Sequence, residues 1–140
     1  MRIIVGYDAS NAARRAVLLA QEHGKFLGAK VEVISVVHQN NNLGYDEIQK
    51  AEADLAKDIR NLFKNNTIPF KEYLVVSNLS PGEELVEFAE RDKVDEIIIG
   101  VRKKSRVGKF LLGSTAQYTV LNAPCPVVTV NKNNLQPDTE

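Results

Sequence analysis

The chain has 140 residues, 44% of them hydrophobic and 26% charged, the balance of an ordinary globular domain with mass for one sizeable core. Lysine and arginine total 18 and so do aspartate and glutamate, which excludes a global field drawing the protein to nucleic acid or an anionic membrane and leaves only local electrostatics. A single cysteine, Cys125, excludes a disulfide framework or a multi-cysteine metal site.

At the start, Ile3, Ile4 and Val5 form the only apolar run before Gly6, too short for a secretory signal. No later run approaches the length of a membrane-spanning helix. A cytoplasmic location without membrane insertion is expected. The same run, residues 2–5, reads as a first strand. Its continuous apolar character, repeated at Ile97-Ile98-Ile99 and Val127-Val128, suits strands buried on both faces. A helix follows, with Ala13, Ala16, Val17, Ala20 and Leu27 on one side and Gly28 placed to end it. Asp8 and Ser10 are both candidates to cap it.

Residues 31–37 read as the second strand, and the Gln39-Asn-Asn-Asn42 region beyond it as an exposed loop. The second helix carries Ile48, Ala51, Leu55, Ile59, Leu62 and Phe63 at spacings of three and four, with Asp46 and Gln49 as its cap. A third strand is expected at 72–76. Ser80-Pro-Gly-Glu83 then supplies a capping hydroxyl, a proline at the first helical position and a carboxylate three residues after the cap. Leu85, Val86, Phe88 and Ala89 are the buried side of this third helix, and Glu83, Glu84, Glu87 and Glu90 its exposed side. A fourth strand is expected at 96–99, a fourth helix from about Ser114, with Gln117 at capping-box spacing, to before Pro124, and a last strand at 126–130. Strand–helix alternation throughout argues one α/β domain, an open parallel sheet with helices on both faces. Residues 1–131 form that domain and 132–140 a polar tail.

The stretch GVRKKSRVGKFLLGST, residues 100–115, holds five cations, three glycines and no carboxylate. It is not a P-loop, because Gly108-Lys109 is followed by Phe110 and the preceding glycine is eight positions upstream. Nor is Gly6 part of a dinucleotide fingerprint, since it stands alone after the first strand. A nucleic-acid patch would interleave aromatic residues for stacking, and none do; Phe110 reads as a core anchor beside Leu111 and Leu112. No nucleic-acid partner is expected. Two readings remain. One is a solvated connection; the other is an anion cradle, with Gly100 at a strand end, cations in the loop and Gly113-Ser114-Thr115 at a helix start.

Taken with Ile3-Ile-Val-Gly-Tyr-Asp8-Ala-Ser10, Val33-Ile-Ser-Val-Val-His38, Asp95-Glu-Ile-Ile-Ile-Gly100 and Ala123-Pro-Cys-Pro-Val-Val-Thr-Val130, the chain resembles the universal stress protein family over nearly its whole length. Its nucleotide-binding branch carries Gly-x2-Gly-x9-Gly-Ser/Thr. Here Gly100, Gly113 and Ser114 fall in place, while Lys103 stands where the second glycine belongs. The resemblance implies a five-stranded sheet of order 3-2-1-4-5, Rossmann-like in the manner of the adenine nucleotide alpha hydrolases. It implies ATP, with Mg²⁺, at the junction of strands one and four. Gly6, Asp8 and Val36 would then meet the nucleoside. Gly100, Val101, Arg102, Lys103, Lys104, Ser105 and Arg106, with Gly113, Ser114 and Thr115, would hold the phosphates. It also implies a homodimer, or a higher oligomer, through Val127, Val128, Thr129 and Val130, and an unidentified regulatory protein partner. The alternative is a member that has lost nucleotide binding and acts only through protein contacts.

No residue is evidently placed to orient an attacking water, so no catalytic residue is assigned. His23 and His38 lack metal-ligand spacing, and both read as structural or solvent-facing. Cys125 reads as a small side chain packed ahead of the last strand.

Overall fold

The computed structural model describes residues 1–101, 104–106 and 109–131, with backbone alone at 104–106 and 109–111. In chain order the elements are β1 (Arg2–Gly6), α1 (Asn11–Leu27), β2 (Lys30–His38), a 3-10 turn (Gln39–Asn41), α2 (Tyr45–Phe63), β3 (Phe70–Ser77), α3 (Pro81–Asp92), β4 (Glu96–Val101), β5 (Lys104–Arg106), β6 (Lys109–Leu111), α4 (Ser114–Asn122) and β7 (Val127–Asn131). Five parallel strands make one sheet in the order β3-β2-β1-β4-β7. Counted among sheet strands alone, this is the expected 3-2-1-4-5.

The apolar runs are continuous because alternate residues enter two separate cores. Ile3, Val5, Val31, Val33 and Ile98 face α1 and α2, where Ala13, Ala16, Val17, Ala20, Leu55, Ile59 and Phe63 pack on them. Ile4, Ile34, Ile97 and Ile99 face the other way, onto Leu85, Phe88 and Ala89 of α3 and Ala116 of α4. The strand pattern therefore reports burial, and the helical spacings report which stripe meets the sheet.

Helix ends follow local chemistry. Ser10 caps α1 by accepting from the Ala13 amide at 3.1 Å, and Gly28 ends it at φ 67°. Ser80 and Glu83 form the expected box at α3. Two expected caps are corrected. At α2 the cap is Gly44, whose N–H donates to Glu47 at 3.1 Å, so Asp46 and Gln49 do not serve. At α4 the cap is Gly113, and Ser114 is already the first helical residue. Leu27 is also corrected, being 41% exposed. The close approach to the β2 side is made by Gly24, whose missing Cβ would stand 2.9 Å from Ile68 Cδ1.

Glu84 is not on the solvent face as expected; it is buried, and its carboxylate accepts from Ser77 Oγ at 2.8 Å. The stretch between β4 and α4, read as one loop, contains an antiparallel pairing of β5 with β6, in register Lys104 to Leu111 and Arg106 to Lys109. Alternation there is too short to signal a hairpin from sequence. Phe110 and Leu111 as core anchors, Arg102, Lys103, Gly108 and the tail 132–140 lie outside the described side chains or residues.

One charged cluster holds the N-terminal ends of the strands. Arg2 binds the buried Glu32 carboxylate through Nε at 3.0 Å and Nη2 at 2.9 Å, and Tyr73 donates to the other oxygen at 2.9 Å. His23 and Glu96 make a second tie, 2.7 Å apart, between α1 and β4. His38 accepts from the Asn40 amide at 3.1 Å and lies 3.0 Å from the Asn78 carbonyl, bracing the turn after β2. Both histidines are thus structural. Cys125 is half-buried against the second core, and burial with nearby Asp95 and Glu96 pushes its thiol above the usual range.

Burial likewise raises the phenols of Tyr7 and Tyr73 above the ordinary value of 10.0, with carboxylate partners adding to the shift. Each keeps its proton in the native state after the unfolded chain has lost it. Their contribution to stability is therefore full below about pH 10 and is lost as pH rises through the folded values. Denaturant midpoints should fall as pH rises above about 10, and less steeply in a Tyr7→Phe, Tyr73→Phe variant. Equal slopes in the two proteins would refute this.

Candidate functional site

A cavity of about 510 Å³ opens at the carboxyl ends of β1, β2 and β4. This is where sheet order reverses, since β2 and β3 are added on one side of β1 and β4 and β7 on the other. Crossovers leave in opposite directions at such a point and leave a crevice between them. The inner wall is apolar, with Ile34 and Val36 of β2, Leu74 of β3, Leu55 of α2, Leu85 of α3 and Ile99 of β4.

The chain leaves β1 through Tyr7-Asp8-Ala9-Ser10. Asp8 Oδ1 accepts from the Ser10 amide at 3.0 Å, and Ser10 then caps α1. The rivalry over the cap is resolved: Ser10 holds the helix and Asp8 holds the turn. Between them Ala9 sits at φ 64°, a left-handed conformation that costs an alanine roughly 1–2 kcal/mol. Strain of this kind gathers at ligand-facing turns, and both Asp8 and Ala9 line the cavity.

The glycines serve different needs. A Cβ on Gly100 would stand 2.4 Å from the Ala12 carbonyl carbon and 2.6 Å from the Ala13 nitrogen. Gly100 therefore lets the first turn of α1 pass directly over β4. A Cβ on Gly6 would meet Leu85 Cδ1 at 2.8 Å, the mobile end of a side chain. At Gly113 a Cβ would meet nothing within 4 Å, at an ordinary φ of −65°.

Of the residues marked from sequence, Gly6, Asp8, Val36, Gly100 and Thr115 line the cavity. Gly113 and Ser114 stand exposed at the start of α4, beside Thr115 but off the lining, and Val101 is buried in the second core. Lys104, Ser105 and Arg106 contribute backbone to β5, while Arg102 and Lys103 lie outside the described residues.

A model of the universal stress protein family matches residues 1–131. The chain belongs to that family. A universal stress protein of Thermus aquaticus is 30% identical over 133 residues, covering 91% of this chain and 96% of its own length. One from Mycolicibacterium smegmatis is 30% identical over 129 residues, covering 91% and 95%. Among solved structures, a universal stress protein of Archaeoglobus fulgidus superposes with a TM-score of 0.78 at 27% identity, over 93% of each chain. Another structure of an Archaeoglobus fulgidus universal stress protein, in complex with dAMP, gives 0.76 at 25% identity, over 93% of this chain and 97% of that one.

In this universal stress protein, α2 supplies a cavity wall that sequence reasoning missed. Ala51, Asp54, Leu55 and Asp58 line it, spaced to share one helical face. Asp58 is anchored, receiving the Tyr7 hydroxyl at 3.3 Å and facing Arg14 at 3.7 Å. Periodicity marks Ala51 and Leu55 as apolar, but it does not distinguish a stripe facing the core from one facing a cavity. Charge on the described lining residues is carried by Asp8, Asp54 and Asp58. Among the described residues no group of three or more His, Cys, Asp or Glu could hold a metal ion, and no helix is long and apolar enough to cross a membrane.

Proposed function

We propose that the protein is an adenine-nucleotide-binding regulatory module, taking ATP with Mg²⁺ in the cavity at the β1/β4 junction. The observation that carries the reading is that cavity, about 510 Å³ at the sheet's switch point with the start of α4 on its rim through Thr115. The volume falls within the range of about 300–1,000 Å³ typical of small-molecule sites. The relative that holds dAMP supports the same ligand class.

In this reading the nucleoside enters between Gly6, Asp8 and Val36. The phosphates lie outside the acidic part of the lining, over Gly100 to Arg106 and at Gly113 to Thr115. There the unpaired amides of α4's first turn favour an anion. Gly100 serves by bringing α1 close, and Gly113 by leaving open space above the helix start. Mg²⁺ keeps most of its water and is held largely by phosphate oxygens, so it would enter with the nucleotide. The bound nucleotide sets the state of the module and its choice of protein partner in the cytoplasm. β7 is an edge of the sheet, and pairing of Val127–Val130 with a second copy would cover that edge.

Nucleotide released by denaturing freshly purified protein, identified chromatographically, and calorimetric titration with ATP test the reading. Bound adenine nucleotide or saturable heat is expected. Neither, up to millimolar ATP, overturns it. Gly113→Val should leave the fold intact and weaken ATP binding about tenfold or more, because a branched side chain would occupy the phosphate approach. Unchanged affinity would place the phosphates elsewhere.

A further inference from the structure

The α2 wall has no role in the nucleotide reading so far, yet it forms one side of the cavity. Ala51 and Leu55 line it together with Ile34 and Val36 of β2, and Asp54 lines it as well. The two α2 carboxylates on the cavity lining, Asp54 and Asp58, differ in their partners. Asp58 is tied to Tyr7 and Arg14. Among the described residues Asp54 pairs with the exposed Lys50, one turn earlier at 3.8 Å, with side-chain exposures of 67% and 81%. Such an exposed pair is worth little and yields readily to a better partner. A carboxylate accepts hydrogen bonds and donates none when ionised. It therefore repels a phosphate and attracts an N–H or O–H group.

We propose that Asp54 is a specificity-determining ligand contact, accepting a hydrogen bond from a donor on the nucleoside portion of the ligand. Two donors have this chemistry: the exocyclic amine of the base and the ribose hydroxyls. Asp58 is a positioning residue, since its contacts with Tyr7 and Arg14 hold the helix carrying Asp54 over β1 and α1. The inference rests on the nucleotide reading above and adds to it the class of group that α2 recognises.

The sign of the effect separates this role from a bystander's. If Asp54 merely lay near an anionic ligand, removing its charge would tighten binding slightly. As a hydrogen-bond acceptor, its removal weakens binding, since charge-assisted hydrogen bonds are the stronger kind. The test is calorimetric titration of AMP, IMP and 2′,3′-dideoxy-AMP into the full-length protein and its Asp54→Ala variant, with Lys50→Ala as control. The expected result is a loss of about five- to twentyfold in AMP affinity for Asp54→Ala, an unchanged affinity for Lys50→Ala, and unchanged melting temperatures for both. If the base amine is the donor, IMP binds both proteins equally. If the sugar is the donor, dideoxy-AMP does. AMP affinity that is unchanged or improved in Asp54→Ala overturns the proposal, as does an equal loss for all three ligands. Absence of AMP, IMP and ATP binding by the unsubstituted protein would instead remove the nucleotide reading and this inference with it.

Discussion

Gly100→Ala is expected to destabilise the protein by about 3 kcal/mol or more, at the upper end of overpacking penalties. The new methyl would lie 2.4 Å from one backbone atom of α1 and 2.6 Å from two others. A side chain could swing away at small cost; a helix backbone can yield only if α1 as a whole lifts from β4. Lifting it disturbs the packing of Ala13, Ala16 and Val17, all buried on the sheet, and close-packed interiors do not absorb such shifts locally. Urea denaturation of the variant beside Gly113→Ala makes the comparison direct. Gly113→Ala meets no atom within 4 Å and should cost no more than about 1 kcal/mol as a poorer helix cap. Equal midpoints for the two variants would show that the α1–β4 approach is not tight. The contrast also divides the glycine motif by physical cause, because its first glycine is required by packing and its last is not.

Arg2→Ala is expected to cost about 3–5 kcal/mol, the range for breaking a buried ion pair from one side. Glu32 has only 3% of its side chain exposed, and Arg2 makes two short contacts to the same carboxylate oxygen. Removing the guanidinium leaves that carboxylate with the Tyr73 hydroxyl at 2.9 Å. Arg2 also reaches the Asp92 carbonyl at 3.2 Å, so the loss loosens the end of α3 as well as β1. Replacing the whole network by apolar groups of similar size, as Arg2→Met, Glu32→Leu, Tyr73→Phe, should recover most of the stability, because no charge is then left buried without a partner. Thermal unfolding of both variants checks the pair of outcomes. A triple variant as unstable as Arg2→Ala would mean that the ion pair itself, not the stranded charge, matters.

Much of the architecture was legible along the chain. Ile3-Ile4-Val5 and Ile97-Ile98-Ile99 had to be strands covered on both faces, and Ser80-Pro-Gly-Glu83 had to start a helix, because backbone and capping geometry depend only on neighbours. The strand order came from the family resemblance rather than from periodicity, and the sheet has that order. Errors fell at the caps of α2 and α4, which are Gly44 and Gly113, and where a residue's role depends on which neighbour it packs against. Glu84 looked solvent-facing until Ser77 was found beside it. The β5–β6 pairing was too short to leave a periodic signal.

The cavity divides along the same line. Gly6, Asp8, Val36, Gly100 and Thr115 could be marked in advance because they sit at strand ends and a helix start, positions that local sequence defines. Asp54 and Asp58 could not, since they lie near the middle of α2 and reach the cavity only because that helix folds back over β2 and β3. The sequence by itself determined the five strands of the parallel sheet, the four helices, the start of α3 at Ser80 and the two-faced burial of the sheet, all set by spacing and by the chemistry of adjacent residues. Only the tertiary structure decided which helix face turns to a cavity, which carboxylates are anchored, and why Gly100 has no side chain. Each of these depends on contacts between segments far apart in the chain.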